Sequence, residues 1–158
     1  MAGRNHRYNN RNVMARNRKA RHDYSVLKTY EAGISLKGTE IKSIRAHRIN
    51  LKDGFARINN GQVYLENVHI SPYAQADYTS VLNPRRDRKL LLHKREIKRM
   101  ARAVQKKGIT LIPLKVYIKH GFAKVLIGVA KGRRQYDKRA VMKKRAQERE
   151  IHRYMKHY

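Results

Sequence analysis

The sequence predicts a mainly β fold with inserted helices, a small antiparallel barrel whose closure leaves few exposed strand edges. Three observations carry this. Two runs rich in β-branched and aromatic residues are joined by Asn60–Gly61, two more by His120–Gly121, and a single strongly amphipathic helical segment separates the pairs. Antiparallel hairpins interrupted by a helix fit a partly open barrel of five or six strands, of the kind that binds oligonucleotides.

From Tyr24 to Leu36 the run YSVLKTYEAGISL predicts a strand, bent or bulged at Gly33. KGTEIKSIRAHR follows as a short helix, with Thr39 as cap and Ile41 and Ile44 spaced i, i+3. GFARINNGQVYLENVHI reads as a hairpin, because Asn-Gly tolerates positive φ at both central positions of a tight turn. The turn-rich stretch SPYAQADYTSVLNPRRDRK reads as a connection, with a short strand near Tyr78 to Leu82. HKREIKRMARAVQKKG puts Ile97, Met100, Ala101 and Val104 on one helical stripe, with Gly108 ending it. ITLIPLKVYIK and FAKVLIGVA form the last pair; Ile112, Leu114, Val116 and Ile118 alternate with Lys115, Tyr117 and Lys119, and Pro113 sits near an edge.

Charge sets the partner class. The 158 residues carry 39 Lys and Arg against 11 Asp and Glu, a formal charge of +28 that opposes compaction unless a polyanion neutralises it. Residues 1–21 carry +7 and residues 131–158 carry +8, with few apolar groups in either segment. Composition therefore predicts a largely disordered basic extension over 1–21, a barrel over 22–130, and a basic tail over 131–158 that becomes helical on binding. Asp137, the lone acid near the start of that tail, is placed to cap its helix.

The chemistry of catalysis is not visible. Zero cysteines exclude a disulfide framework and thiolate metal sites, and fit a reducing, cytoplasmic setting. The eight histidines show no HExxH and no metal-ligand spacing, and no phosphate-binding loop is present, so the sequence predicts no metal, no cofactor and no enzyme. No run of eighteen apolar residues predicts a membrane span, and the N-terminal stretch lacks the apolar region of a secretion signal. Ten tyrosines interleaved with Arg and Lys instead offer flat faces for unpaired bases and cations for phosphates.

NRKARHDY, TYEAGISLKGTEIKSIR, GQVYLENVHISPY, RKLLLH and KVLIGVAKG followed by DKR resemble, in order, the signature blocks of the small protein B family, the tmRNA-binding proteins of bacterial trans-translation. The resemblance spans Asn17 to Arg139. It implies a six-stranded barrel, binding to the tRNA-like domain of tmRNA, and delivery with elongation factor Tu and GTP to a stalled ribosome. It assigns tmRNA contact to Asn17, Arg21, Glu31, Leu91 and Lys124. It assigns contact with the decoding centre and the empty mRNA channel of the small subunit to Lys131, Gly132, Arg133, Arg134, Tyr136, Asp137, Lys138 and Arg139. Arg133 and Arg134 replace the family's usual lysine pair, and Tyr136 stands where some members carry His. Read from composition alone, Glu31 can equally pair with Arg21 or Lys28, and Leu91 can equally be a core residue.

Overall fold

The structure, a computed structural model, describes residues 12–73, 83–133 and 135–156. The elements run β1 (Val13–Arg16), α1 (Arg18–Asp23), β2 (Tyr24–Ile34), α2 (Gly38–Arg45), β3 (Ile49–Asn50), β4 (Phe55–Asn59), β5 (Gln62–Glu66), β6 (His69–Ile70), β7 (Arg88–Leu91), α3 (Lys94–Val104), β8 (Ile109–Lys119), β9 (Phe122–Gly132) and α4 (Gln135–Lys156). The strand predicted near Tyr78 to Leu82 lies outside the described residues.

Six strands close a ring in the order β4-β5-β7-β2-β9-β8, and β8 returns to β4 through Leu111 opposite Ala56. Closure depends on the length of β8. One edge pairs with β9 from Ile109 to Lys119, while the other is shared between β4 at Leu111 and β1 at Lys115 to Tyr117. β3 and β6 form a separate two-stranded ribbon. Ala32, Val63, Leu65, Leu90, Val116, Val125 and Ile127 fill the ring, and α2 and α3 add Ile44, Ile97 and Met100 to the same core. At about 25 cal/mol per Å² of apolar surface removed from water, this burial is the main stabilising contribution.

Both tight hairpins form as predicted. Asn60 and Gly61 adopt φ of 49° and 71°, and His120 and Gly121 adopt 50° and 80°, the mirror-image turn geometry that matches strand twist. α3 buries Ile97 and Met100, with Ala103 and Val104 packed beside them rather than Ala101, and it ends at Val104, ahead of Gly108.

Several local expectations are corrected. The bulge in β2 falls between Val26 and Lys28, not at Gly33. Gly33 instead makes a close approach to β7: a Cβ there would stand 3.2 Å from Leu91 Cβ, so Leu91 would have to shift by a few tenths of an ångström. Thr39 is inside α2, which opens after Lys37, whose N–H donates to Glu40 Oε1 at 2.9 Å. The alternation in β8 breaks at a bulge between Pro113 and Lys115. The slip sends Leu111 and Val116 into the main core and leaves Ile112 and Leu114 on the outer surface, where Ala20 of α1 covers them.

Where composition predicts a disordered 1–21, Val13–Arg16 and Arg18–Asp23 form β1 and α1. Charge density favours disorder there, but pairing with β8 and the burial of Ala20 outweigh it. At the other end, β9 continues through Lys131 and Gly132, past the boundary at 130. α4 opens at Gln135, so Asp137 is the third helical residue rather than the cap. A carboxylate in the first turn still favours the positive end of the helix.

Candidate nucleic-acid interface

Strand register brings three of the predicted residues together. Leu91 of β7 faces Gly33 of β2, Gly33 faces Lys124 of β9, and Lys124 faces Tyr117 of β8. Paired residues in antiparallel strands project to the same side, so these four form one row across four strands. It lies on the outside of the barrel, because the residues between (Ala32, Leu90, Val116 and Val125) are the buried inner ones. A second row, one pleat along, holds Glu31, Leu126, Lys115 and Arg16.

Leu91 is 55% exposed, an apolar side chain held above the sheet with no Cβ from residue 33 to displace it. Its reading as a core residue is therefore set aside. Glu31 pairs with neither Arg21 nor Lys28. It accepts the phenolic hydrogen of Tyr117, and the Lys119 ammonium donates to it at 3.3 Å. Burial works to raise the Glu31 pKa, but the Tyr117 and Lys119 hydrogen bonds and the charges of Lys119 and Lys124 prevail and hold it below the usual carboxylate range. The group stays ionised with an oriented acceptor, able to take a hydrogen bond from a base edge or a ribose 2′-hydroxyl.

Cations crowd around this acceptor. The Lys115 ammonium sits 5.7 Å from the Tyr117 ring centroid, and its pKa is pushed down by burial first and then by Arg16 and Arg21. A phosphate arriving among these groups would relieve their mutual repulsion. Lys119 and Phe122, the latter 70% exposed, carry the face on to the β8–β9 turn.

Asn17 is placed differently from the expectation. It is only 3% exposed, and its side-chain capacity is spent inside the protein. Oδ1 accepts from Ala20 N–H at 3.1 Å as the cap of α1, and Nδ2 donates to Pro113 O at 2.9 Å and Leu51 O at 3.2 Å. A base edge cannot reach that amide. Asn17 positions α1, on which Arg21 is exposed.

The tail assignments meet at the α1–β9 junction. Lys131 and Gly132 end β9 opposite Ser25 and Tyr24, and Arg133 N–H donates to Asp23 O at 2.8 Å. Arg134 lies outside the described residues, while Tyr136, Asp137, Lys138 and Arg139 fall at the start of α4. Met142 and Ile151 are 55% and 59% exposed, so α4 extends from the barrel with apolar side chains in solvent.

Tyr117, Lys119, Lys115, Arg16 and Gly33 are parts of the face that sequence reasoning did not assign. The alternation Lys115, Tyr117, Lys119 marks a polar strand face; only register tells which residues of β2 and β7 lie next to it. Among the described residues, no group of three or more His, Asp or Glu is arranged to hold a metal ion. No helix among them is long and apolar enough to cross a membrane.

The family model described as SmpB protein matches residues 14–157. The chain is 61% identical over 158 residues, all of both chains, to the SsrA-binding protein of Limosilactobacillus reuteri (strain DSM 20016). It is 65% identical over 147 residues, 93% of this chain and 94% of the other, to the SsrA-binding protein of Ligilactobacillus salivarius (strain UCC118). Among solved structures, a chain from "tmRNA-SmpB: a journey to the center of the bacterial ribosome" is 52% identical with a TM-score of 0.66, covering 78% of this chain and 85% of that one.

Proposed function

The chain belongs to the SmpB protein family, and from that premise we propose that it binds the tRNA-like domain of tmRNA and brings it to stalled bacterial ribosomes for trans-translation. The observation that carries the reading is the outer row Leu91, Gly33, Lys124, Tyr117 with the ionised Glu31 beside it. An apolar perch, an oriented acceptor and surrounding cations are the three kinds of contact a folded RNA loop needs: a base or sugar face, a base edge or 2′-hydroxyl, and phosphates.

The barrel body holds tmRNA through this face, with Arg21 from α1 added to it. The segment from Lys131 to Arg139, with α4 behind it, meets ribosomal RNA at the decoding centre and in the vacant mRNA channel. Elongation factor Tu with GTP joins through the aminoacylated tmRNA rather than through a dedicated surface of this chain. The protein works in the bacterial cytoplasm and acts by binding.

The test is the RNA that accompanies it. Tagged full-length protein recovered from its own cells should carry one predominant small stable RNA, and the purified protein should retain the tRNA-like domain on a filter. Recovery of mixed ribosomal RNA fragments with no tmRNA would instead indicate a structural ribosomal protein.

A further inference from the structure

Beyond Leu91 the interface continues into a groove of about 530 Å³ between the β4–β5 turn and α3. The turn contributes Asn60, β5 contributes Gln62, β7 contributes Lys89 and Leu91, and α3 contributes Lys94 and Lys98. Among the described residues, no acidic one lines it. Val63 pairs with Leu90, so Gln62 stands beside Leu91 and prolongs the row described above.

We propose that this groove takes an unpaired nucleotide of the same RNA that rests on Leu91, its base against the leucines and the Asn60 and Gln62 amides, its phosphates toward Lys89, Lys94 and Lys98. Two arguments select this occupant. The lining combines an apolar floor with paired donor–acceptor amides and cations, which matches a nucleotide and leaves nothing suited to a cationic or purely apolar partner. The lysines are also placed against the helix's own interest. Lys94 and Arg95 occupy the first turn of α3, where the dipole disfavours cations, and Lys94 and Lys98 repel at i, i+4. A bound phosphate turns both costs into attraction.

The inference rests on the tmRNA reading, and the experiment separates the two. Full-length protein with Lys89, Lys94 and Lys98 changed to Gln is compared with wild type and with a control carrying Arg102→Gln, Lys106→Gln and Lys107→Gln, which removes equal charge outside the groove. Each is titrated with the isolated tRNA-like domain at several salt concentrations, after thermal melts confirm folding. The groove variant should bind at least about tenfold more weakly, with the slope of log affinity against log salt reduced by about 2, and the control much less. Gln62→Ala should weaken binding a few-fold with the slope unchanged. Equal losses in groove variant and control, or no loss in either, would overturn the inference while leaving the tmRNA reading intact. Normal binding of the domain with weakened ribosome binding would put ribosomal RNA in the groove and overturn it equally. Failure of the wild-type protein to bind the domain would instead sink the tmRNA reading.

Discussion

Tyr117, 1% exposed, reaches across β9 and gives its phenolic hydrogen to the Glu31 carboxylate. The two residues are 86 positions apart in sequence, and the bond fixes an acceptor on a surface otherwise dominated by cations. Glu31→Ala should weaken binding of the tRNA-like domain by tenfold or more, about 1.4 kcal/mol or above. The barrel should stay folded, with a modest fall in melting temperature because the Tyr117 hydroxyl loses this acceptor. Tyr117→Phe should show a smaller loss, because the carboxylate remains and keeps Lys119 but loses its phenolic donor. Filter binding of both variants checks this, and unchanged affinity for Glu31→Ala removes it from the site.

Asn17 predicts the opposite pattern. Asn17→Ala deletes the cap of α1 and removes the Nδ2 donor from Pro113 O and from Leu51 O, the latter keeping the Gly54 N–H at 3.0 Å. A lost cap costs about 1 kcal/mol and the loss of the buried donor to Pro113 O about 1 or more, so the variant should lose about 2–3 kcal/mol of stability. Arg21→Gln should leave the denaturation midpoint in place and weaken RNA binding with a reduced salt slope. Urea titrations of the two variants beside their binding curves distinguish a residue that holds the site from one that touches the ligand. A normally stable Asn17→Ala with poor binding would restore direct contact.

The contrast shows what the sequence made legible. The Asn60–Gly61 and His120–Gly121 turns and the stripe of Ile97 and Met100 are local, so a few adjacent residues determine them. Glu31, Leu91 and Lys124 were assigned to the site from the blocks around them. Their assembly into one face, with Tyr117 and Lys119 as supports, depends on register across four strands, which no single segment encodes. The buried capping role of Asn17 was not legible because its partner Pro113 O lies 96 positions away in sequence. The order of β1 and α1 within 1–21 escaped for a related reason: charge was counted, while the edge of β8 that receives β1 could not be.

Glu40 gives a pH dependence. It is 4% exposed and held by Arg86 and Arg88; Arg88 Nε donates to it at 2.7 Å, and Arg88 also donates to Val68 O and Pro84 O. Burial would raise its pKa, but the hydrogen bonds from Arg86, Lys37 N–H and Arg88 and the Arg88 charge hold it below the usual value. A carboxylate with a depressed folded pKa contributes stability that is fully present above its unfolded pKa, about 4.3, and lost as pH falls through the folded value. Stability should therefore hold from neutral pH to about 5 and decline in acid. Glu40→Gln should be destabilised at pH 7 by about 3 kcal/mol or more, because Arg88 is left buried without its counter-charge, and should show a shallower acid decline. Denaturant midpoints at pH 7, 5 and 3 test both parts.

The last prediction divides body from tail. α4 spans 22 residues, its described side chains from Met142 to Ile151 are exposed, and Arg145, Arg149 and Arg153 repel at i, i+4. Among its described side chains none is buried, so its stability approaches that of an isolated helix, which is marginal in water, and its amides in the free protein should exchange far faster than those of β9. Phosphates of the mRNA channel would neutralise the cations and make the helix favourable, and a channel already filled with mRNA would withhold them. The barrel face, by contrast, is complete by Gly132. Truncation after Gly132 should therefore leave affinity for the tRNA-like domain within about twofold, the remaining loss reflecting the missing tail charge. The same truncation should abolish peptide tagging on stalled ribosomes. Full tagging by the truncated protein, or slow exchange of α4 amides in the free one, would show that the tail is not a separate element that folds on the ribosome.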